Sequence, residues 1–125
     1  MIARAMAEKS QFQRGIELFN AGKFLEAHEA WEEIWLAANE PEKTFLQGLI
    51  QVAAAFHHRS RRNRKGMESL LEAGLARLAQ FPDRYRGIAL AKLRMDAKAS
   101  SAVAQNANPD IDTPPRIEFR PETSE

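Results

Sequence analysis

Apolar residues recur at helical spacing over most of the chain. Between residues 8 and 20, Phe12, Ile16 and Phe19 fall at i, i+4 and i+7, the stripe of an amphipathic helix. Asn20-Ala21-Gly22 then supplies residues that tolerate the left-handed backbone closing a helix. A second helix is predicted over residues 23–38, with Ala27, Trp31, Ile34, Trp35 and Ala38 as its apolar stripe and Asn39-Glu40-Pro41 as its stop. A third runs from residue 42 or 43 to residue 59. Its segment 45–58, F-L-Q-G-L-I-Q-V-A-A-A-F-H-H, carries no fixed charge. Such a segment spans roughly 20 Å as a helix, too short for a bilayer, so it is expected to be the buried centre of a soluble domain. A fourth helix is predicted over 65–80, where Met67, Leu70, Leu71, Gly74, Leu75 and Leu78 keep the 3.6 period. Phe81-Pro82-Asp83 breaks the chain. A fifth helix is expected over 84–99, with Tyr85, Ile88, Ala89 and Leu93 as a weaker stripe. From Asn106 onward proline and polar residues dominate and predict an extended or disordered tail, which Ile117 and Phe119 could pin to the domain.

The expected fold is therefore all-α: a compact array of about five helices built from two helical hairpins over residues 1–100, with the tail over 101–125. A weak internal repeat supports the hairpins. A shift of forty positions carries Ala27 onto Met67, Trp31 onto Leu71 and Trp35 onto Leu75. The first hairpin, L-F-N-A-G-K-F-L-E-A-H-E-A-W-E-E-I-W, resembles a tetratricopeptide unit, where a small residue lets two helices pack closely. Two units are too few for a solenoid, so a compact array is expected.

Composition adds exclusions. The chain has 125 residues, a net charge of +1 and no cysteine. That length suits one domain. The absence of cysteine excludes disulfides, thiolate metal sites and cysteine nucleophiles, and fits a reducing compartment. Residues 1–12 alternate charge with alanine and have no signal-peptide pattern; a cytoplasmic protein without membrane contact is the expectation. There is no P-loop, dinucleotide fingerprint or nucleophile elbow.

Candidate chemistry sits on the second and third helices. Gln47, Gln51 and His58 share one side of the third helix among Gly48, Ala54 and Ala55. On the second helix, Glu26, Glu29 and Glu33 mark a solvated face, while His28 and Glu32 lie one turn apart between Trp31/Trp35 and Leu25/Leu36. The expectation is that His28, Glu32, Gln47, Gln51 and His58 share one small buried cavity. Three readings follow. The cluster is a satisfied polar network that fixes hairpin register. Or it holds a small ligand, with Glu32 orienting His28 as a base. Or His28, Glu32 and His58 form a two-His-one-carboxylate site for a divalent metal such as Zn²⁺ or Fe²⁺, which would allow metal-assisted hydrolysis. The zinc-protease pattern H-E-x-x-H is absent, because Glu32 stands where its second histidine would be.

Trp31 and Trp35 are expected in the core, and His57 at its rim. The basic run Arg59, Arg61, Arg62, Arg64 and Lys65 has no interleaved aromatics, so nucleic acid is disfavoured against a solvated turn paired with Glu26, Glu29 and Glu33. A small molecule and a second copy of the chain both stand as candidate partners, since the Trp-rich acidic helix could equally face another subunit.

Two stretches together carry a resemblance. F-N-A-G-K-F-L-E-A-H-E-A-W-E-E-I-W, followed by F-L-Q-G-L-I-Q-V-A-A-A-F-H-H-R-S-R-R-N, resembles the bacterial and archaeal family called domain of unknown function 309. The H-E-x-x-E-x-x-W part falls on His28, Glu29, Glu32 and Trp35; the L-Q-G-L-I-Q part with a later histidine falls on Gln47, Gln51 and His58. The resemblance implies a small all-helical, cytoplasmic protein and assigns no activity. It fades after Pro82.

Overall fold

The computed structural model describes residues 2–106 and 114–121, with side chains over 10–101 and 114–121. Five helices carry the fold: α1 (Ile2–Asn20), α2 (Phe24–Ala37), α3 (Glu42–Ser60), α4 (Arg64–Leu78) and α5 (Leu90–Asn106). α1 packs on α2, α2 on α3 and α3 on α4, so consecutive helices form two antiparallel hairpins with α3 at the centre. The expected all-α architecture is the observed one.

Both hairpins turn by the same backbone device. At the end of α1 the Lys23 N–H donates to the Leu18 carbonyl and the Gly22 N–H to the Phe19 carbonyl, with Gly22 at φ 79°. At the end of α3 the Asn63 N–H donates to His58 and the Arg62 N–H to Arg59, with Arg62 at φ 59°. This is the paired closure that satisfies the last carbonyls of a helix. The two turns lie forty residues apart, the same offset as the internal repeat.

The seams differ. In the first hairpin Trp31 lies fully buried against Gly15, where an added Cβ would come within 2.1 Å of the indole nitrogen. The Trp31 Nε1 donates to the Phe12 carbonyl at 3.1 Å, so the buried ring keeps its one polar group satisfied. In the second, Gly48 and Gly74 face one another: a Cβ on Gly74 would lie 2.9 Å from the Gly48 carbonyl oxygen. The apolar face of α3, with Phe45, Leu49, Val52 and Phe56, fills the space between the hairpins.

After α4 the structure departs from expectation. Residues 84–89 are a short antiparallel β-hairpin, pairing Arg84 with Ala89 and Tyr85 with Ile88, not the start of the fifth helix. Arg86 and Gly87 turn it, both at positive φ (48° and 83°), as two-residue hairpins require. α5 starts at Leu90 and continues to Asn106, past the expected boundary at residue 100. Residues 114–121 run extended along the hairpin. The Ala89 N–H donates to Glu118, the Arg120 N–H donates to Gly87, and Ile88 bridges Phe119. Ile117 is buried, and the Asn20 side chain clasps its backbone: Nδ2 donates to the Ile117 carbonyl at 3.0 Å and Oδ1 accepts from its N–H at 2.7 Å. The two residues expected to anchor the tail do so. The rest of the tail, 107–113 and 122–125, lies outside the described residues.

Candidate functional site

The polar side chains singled out on α2 and α3 are not enclosed in the core. Gln47, Gln51, Ala54 and His58 form a partly exposed strip along α3, which corrects the expectation that this helix has no side open to water. Its charge-free sequence reflects the small residues on that side and the apolar opposite side, not burial all round.

The flank of α2 that carries His28 and Glu32 is the one turned toward α3. α1 takes the other flank, where the Gln11 amide donates to the Ala30 carbonyl and to Glu33. On the near flank Lys43 of α3 lies 4.3 Å from the centre of the Trp35 ring. From that contact α3 runs on through Gln47 and Gln51 while α2 runs back through Glu32 and His28. His28 Nε2 and Glu32 Oε2 are 3.0 Å apart, an i,i+4 pair whose side chains remain 27% and 50% exposed. Gln47 makes no side-chain hydrogen bond among the described residues.

Gln51 and His58 turn instead to α4. Arg77 Nη1 donates to Gln51 Oε1 at 3.0 Å and ties α3 to α4 across the glycine seam. His58 Nδ1 lies 3.0 Å from the Asn63 amide, whose oxygen caps α4 by accepting from the Gly66 N–H at 3.0 Å. The sequence reading missed Arg77 and Asn63. Asn63 carries a recognisable N-cap signal, whereas nothing local marks Arg77, whose partner lies on another helix.

The single cavity expected for His28, Glu32, Gln47, Gln51 and His58 is thus divided. His58 lies seven residues beyond Gln51, roughly 10 Å further along the axis, past the start of α2. Among the described residues no three His, Asp or Glu side chains gather as a metal-holding group. His28, Glu32 and His58 accordingly do not form the expected metal site.

The basic turn also differs from expectation. Arg64 pairs with Glu68 on its own helix and Arg59 donates to Ser100 of α5. Among the described residues no ion pair joins Arg61, Arg62, Arg64 or Lys65 to Glu26, Glu29 or Glu33. Trp31 is in the core as expected; Trp35 and His57 are half-buried at its edge.

Two comparisons bear on this site. The family Domain of unknown function (DUF309) matches residues 12–70, which include His28, Glu32, Gln47, Gln51 and His58. The segment 12–70 belongs to that family. A relative from Aquifex aeolicus (strain VF5), described as an uncharacterized protein, is 34% identical over 92 residues. That stretch covers 73% of this chain and 28% of the relative, so this chain matches only a minor part of the relative's length. The family match starts within α1 and stops inside α4, before the β-hairpin and α5, so this DUF309 segment comprises the second half of α1, all of α2 and α3, and the first half of α4. Among the described residues, no helix is long and apolar enough to cross a membrane.

Proposed function

We propose that this domain is a non-catalytic binding module that presents the strip between α2 and α3 to a small polar ligand. His28, Glu32 and Gln47 would make the contacts, while Gln51 and His58 tie α3 to α4 and its cap within the second hairpin. One observation carries the reading: the His28–Glu32 pair is preformed at 3.0 Å yet its side chains stay 27% and 50% exposed, and the Gln47 amide on the adjoining helix makes no hydrogen bond among the described residues. A carboxylate fixes the ring orientation of a neighbouring imidazole, and Gln47 adds two donors and an acceptor. The set suits recognition of a ligand carrying both donors and acceptors. A cytoplasmic setting is part of the proposal, supported by the cysteine-free composition.

The test is the His28→Ala/Glu32→Ala double variant. An exposed i,i+4 pair is worth about 0.3–0.5 kcal/mol, so urea unfolding of the variant should match that of the parent within about that amount. Binding of a hit from a screen of small polar metabolites, followed by amide shifts at Gln47, should disappear. A stability loss above roughly 2 kcal/mol, the scale of a broken buried network, would assign the pair to the scaffold and overturn the reading.

A further inference from the structure

α5 touches α4 more sparingly than α3 does, and between them runs an open groove of about 580 Å³. α5 turns Leu90, Leu93 and Ala97 into the core, which leaves its neighbouring face uncovered. The wall from α4 presents Glu68, Leu71, Glu72 and Leu75, at i, i+3, i+4 and i+7. The wall from α5 presents Ala91, Arg94, Met95 and Lys98, at the same spacing. Two such ridges side by side are half of a four-helix bundle. Met95, which lines the groove, is 71% exposed.

The charges decide the occupant. One wall is acidic and the other basic. Neither Glu72 nor Lys98 has an ion-pair partner among the described residues. Arg94 is also under-bonded: its Nε is buried without an acceptor, and its Nη2 stands 3.9 Å from Asp83, beyond hydrogen-bond reach. A two-fold axis along the groove sets the acidic wall of one copy against the basic wall of the other, so the surface is complementary to itself. We propose that α4 and α5 form an isologous dimer interface with a second copy of this chain, closing a four-helix bundle over Met95, with Glu72 of each copy facing Lys98 of the other.

The experiment is a sedimentation-equilibrium series on the full chain, with thermal melts to confirm folding. The expected mass is twice the 14.1 kDa of one chain, falling to the monomer on dilution. Met95→Glu should abolish the dimer and melt where the parent melts when diluted to the monomer, since the residue is exposed in the single chain. Glu72→Lys and Lys98→Glu should each raise the dissociation constant tenfold or more, because each places like charges across both symmetric contacts. Mixing the two single variants should restore association as a heterodimer, and the double variant should restore it alone. A wild type that stays monomeric up to millimolar concentration would overturn the proposal and leave the groove to a helix of another protein. A dimer that persists in Met95→Glu, or single variants that do not recover on mixing, would equally overturn it.

Discussion

The first hairpin places glycine in the left-handed corner of its turn, at Gly22; the second places arginine in the same corner, at Arg62, with the same pair of hydrogen bonds closing the helix. The seams reverse this economy. The first hairpin sets a whole indole against one glycine, Gly15, and the second sets glycine against glycine. The first is held by a large buried ring bonded to the Phe12 carbonyl, with Gln11 tying α1 to Ala30 and Glu33 of α2 at its edge; the second is held by close backbone contact, with Gln51 to Arg77 and His58 to Asn63 at its edge. One supersecondary plan therefore admits two solutions for holding helices together. The plan lies in the turn and in the apolar period. The solution lies in whichever residue lets the axes approach.

The largest test of this contrast is Trp31→Ala. Emptying a fully buried indole site should cost about 3–5 kcal/mol in urea unfolding, with the first hairpin losing hydrogen-exchange protection before the second. Gly74→Ala probes the other seam. Its Cβ would press the Gly48 carbonyl at 2.9 Å, and the helices must part at a cost of about 1–3 kcal/mol. The two turns should respond with opposite sign. Arg62→Gly relieves a left-handed arginine and should stabilise the chain by roughly 1 kcal/mol, whereas Gly22→Ala should destabilise it by a similar amount; paired denaturation curves would show both. The smallest effect concerns the joint between the hairpins. There Glu40 accepts hydrogen bonds from the Thr44 hydroxyl and backbone N–H, and these hold its carboxyl below its ordinary value of 4.5. A depressed carboxyl stabilises the fold above its unfolded value, and that contribution is lost as the pH falls below 4.5 through the folded value. Glu40→Gln should remove that slope, lowering stability slightly at neutral pH and leaving it nearly unchanged once the pH is below the folded value.

Much of this arrangement was legible in the residues. The four helices of the hairpins ended within a residue or two of expectation, as at Gly22 and Pro41, whereas the first began at Ile2, six residues before the expected start at residue 8. The β-hairpin was not legible, because Tyr85, Ile88 and Ala89 at i, i+3 and i+4 imitate a helical stripe. Only Gly87 argued otherwise, and its force depends on Arg86 also adopting positive φ. The α3 strip was found with its correct members, and its environment was misjudged. A helical wheel gives the direction of a side chain about its own axis. It gives neither the level at which a neighbouring helix begins nor the separation of the axes. His58 therefore looked like a companion of His28, although it lies beyond the start of α2. Asn20, read as a helix stop, proved also to be the clasp on Ile117, a role visible only once residues 97 apart are adjacent.

That clasp separates two timescales of folding. Each hairpin is made of neighbours in sequence and can close quickly, whereas the join between Asn20 and Ile117 must wait until nearly the whole chain has been ordered. Contacts made after the transition state govern how fast a protein comes apart rather than how fast it forms. The tail strand is thus a latch on unfolding: it adds little to the speed of assembly and lengthens the life of what has been assembled.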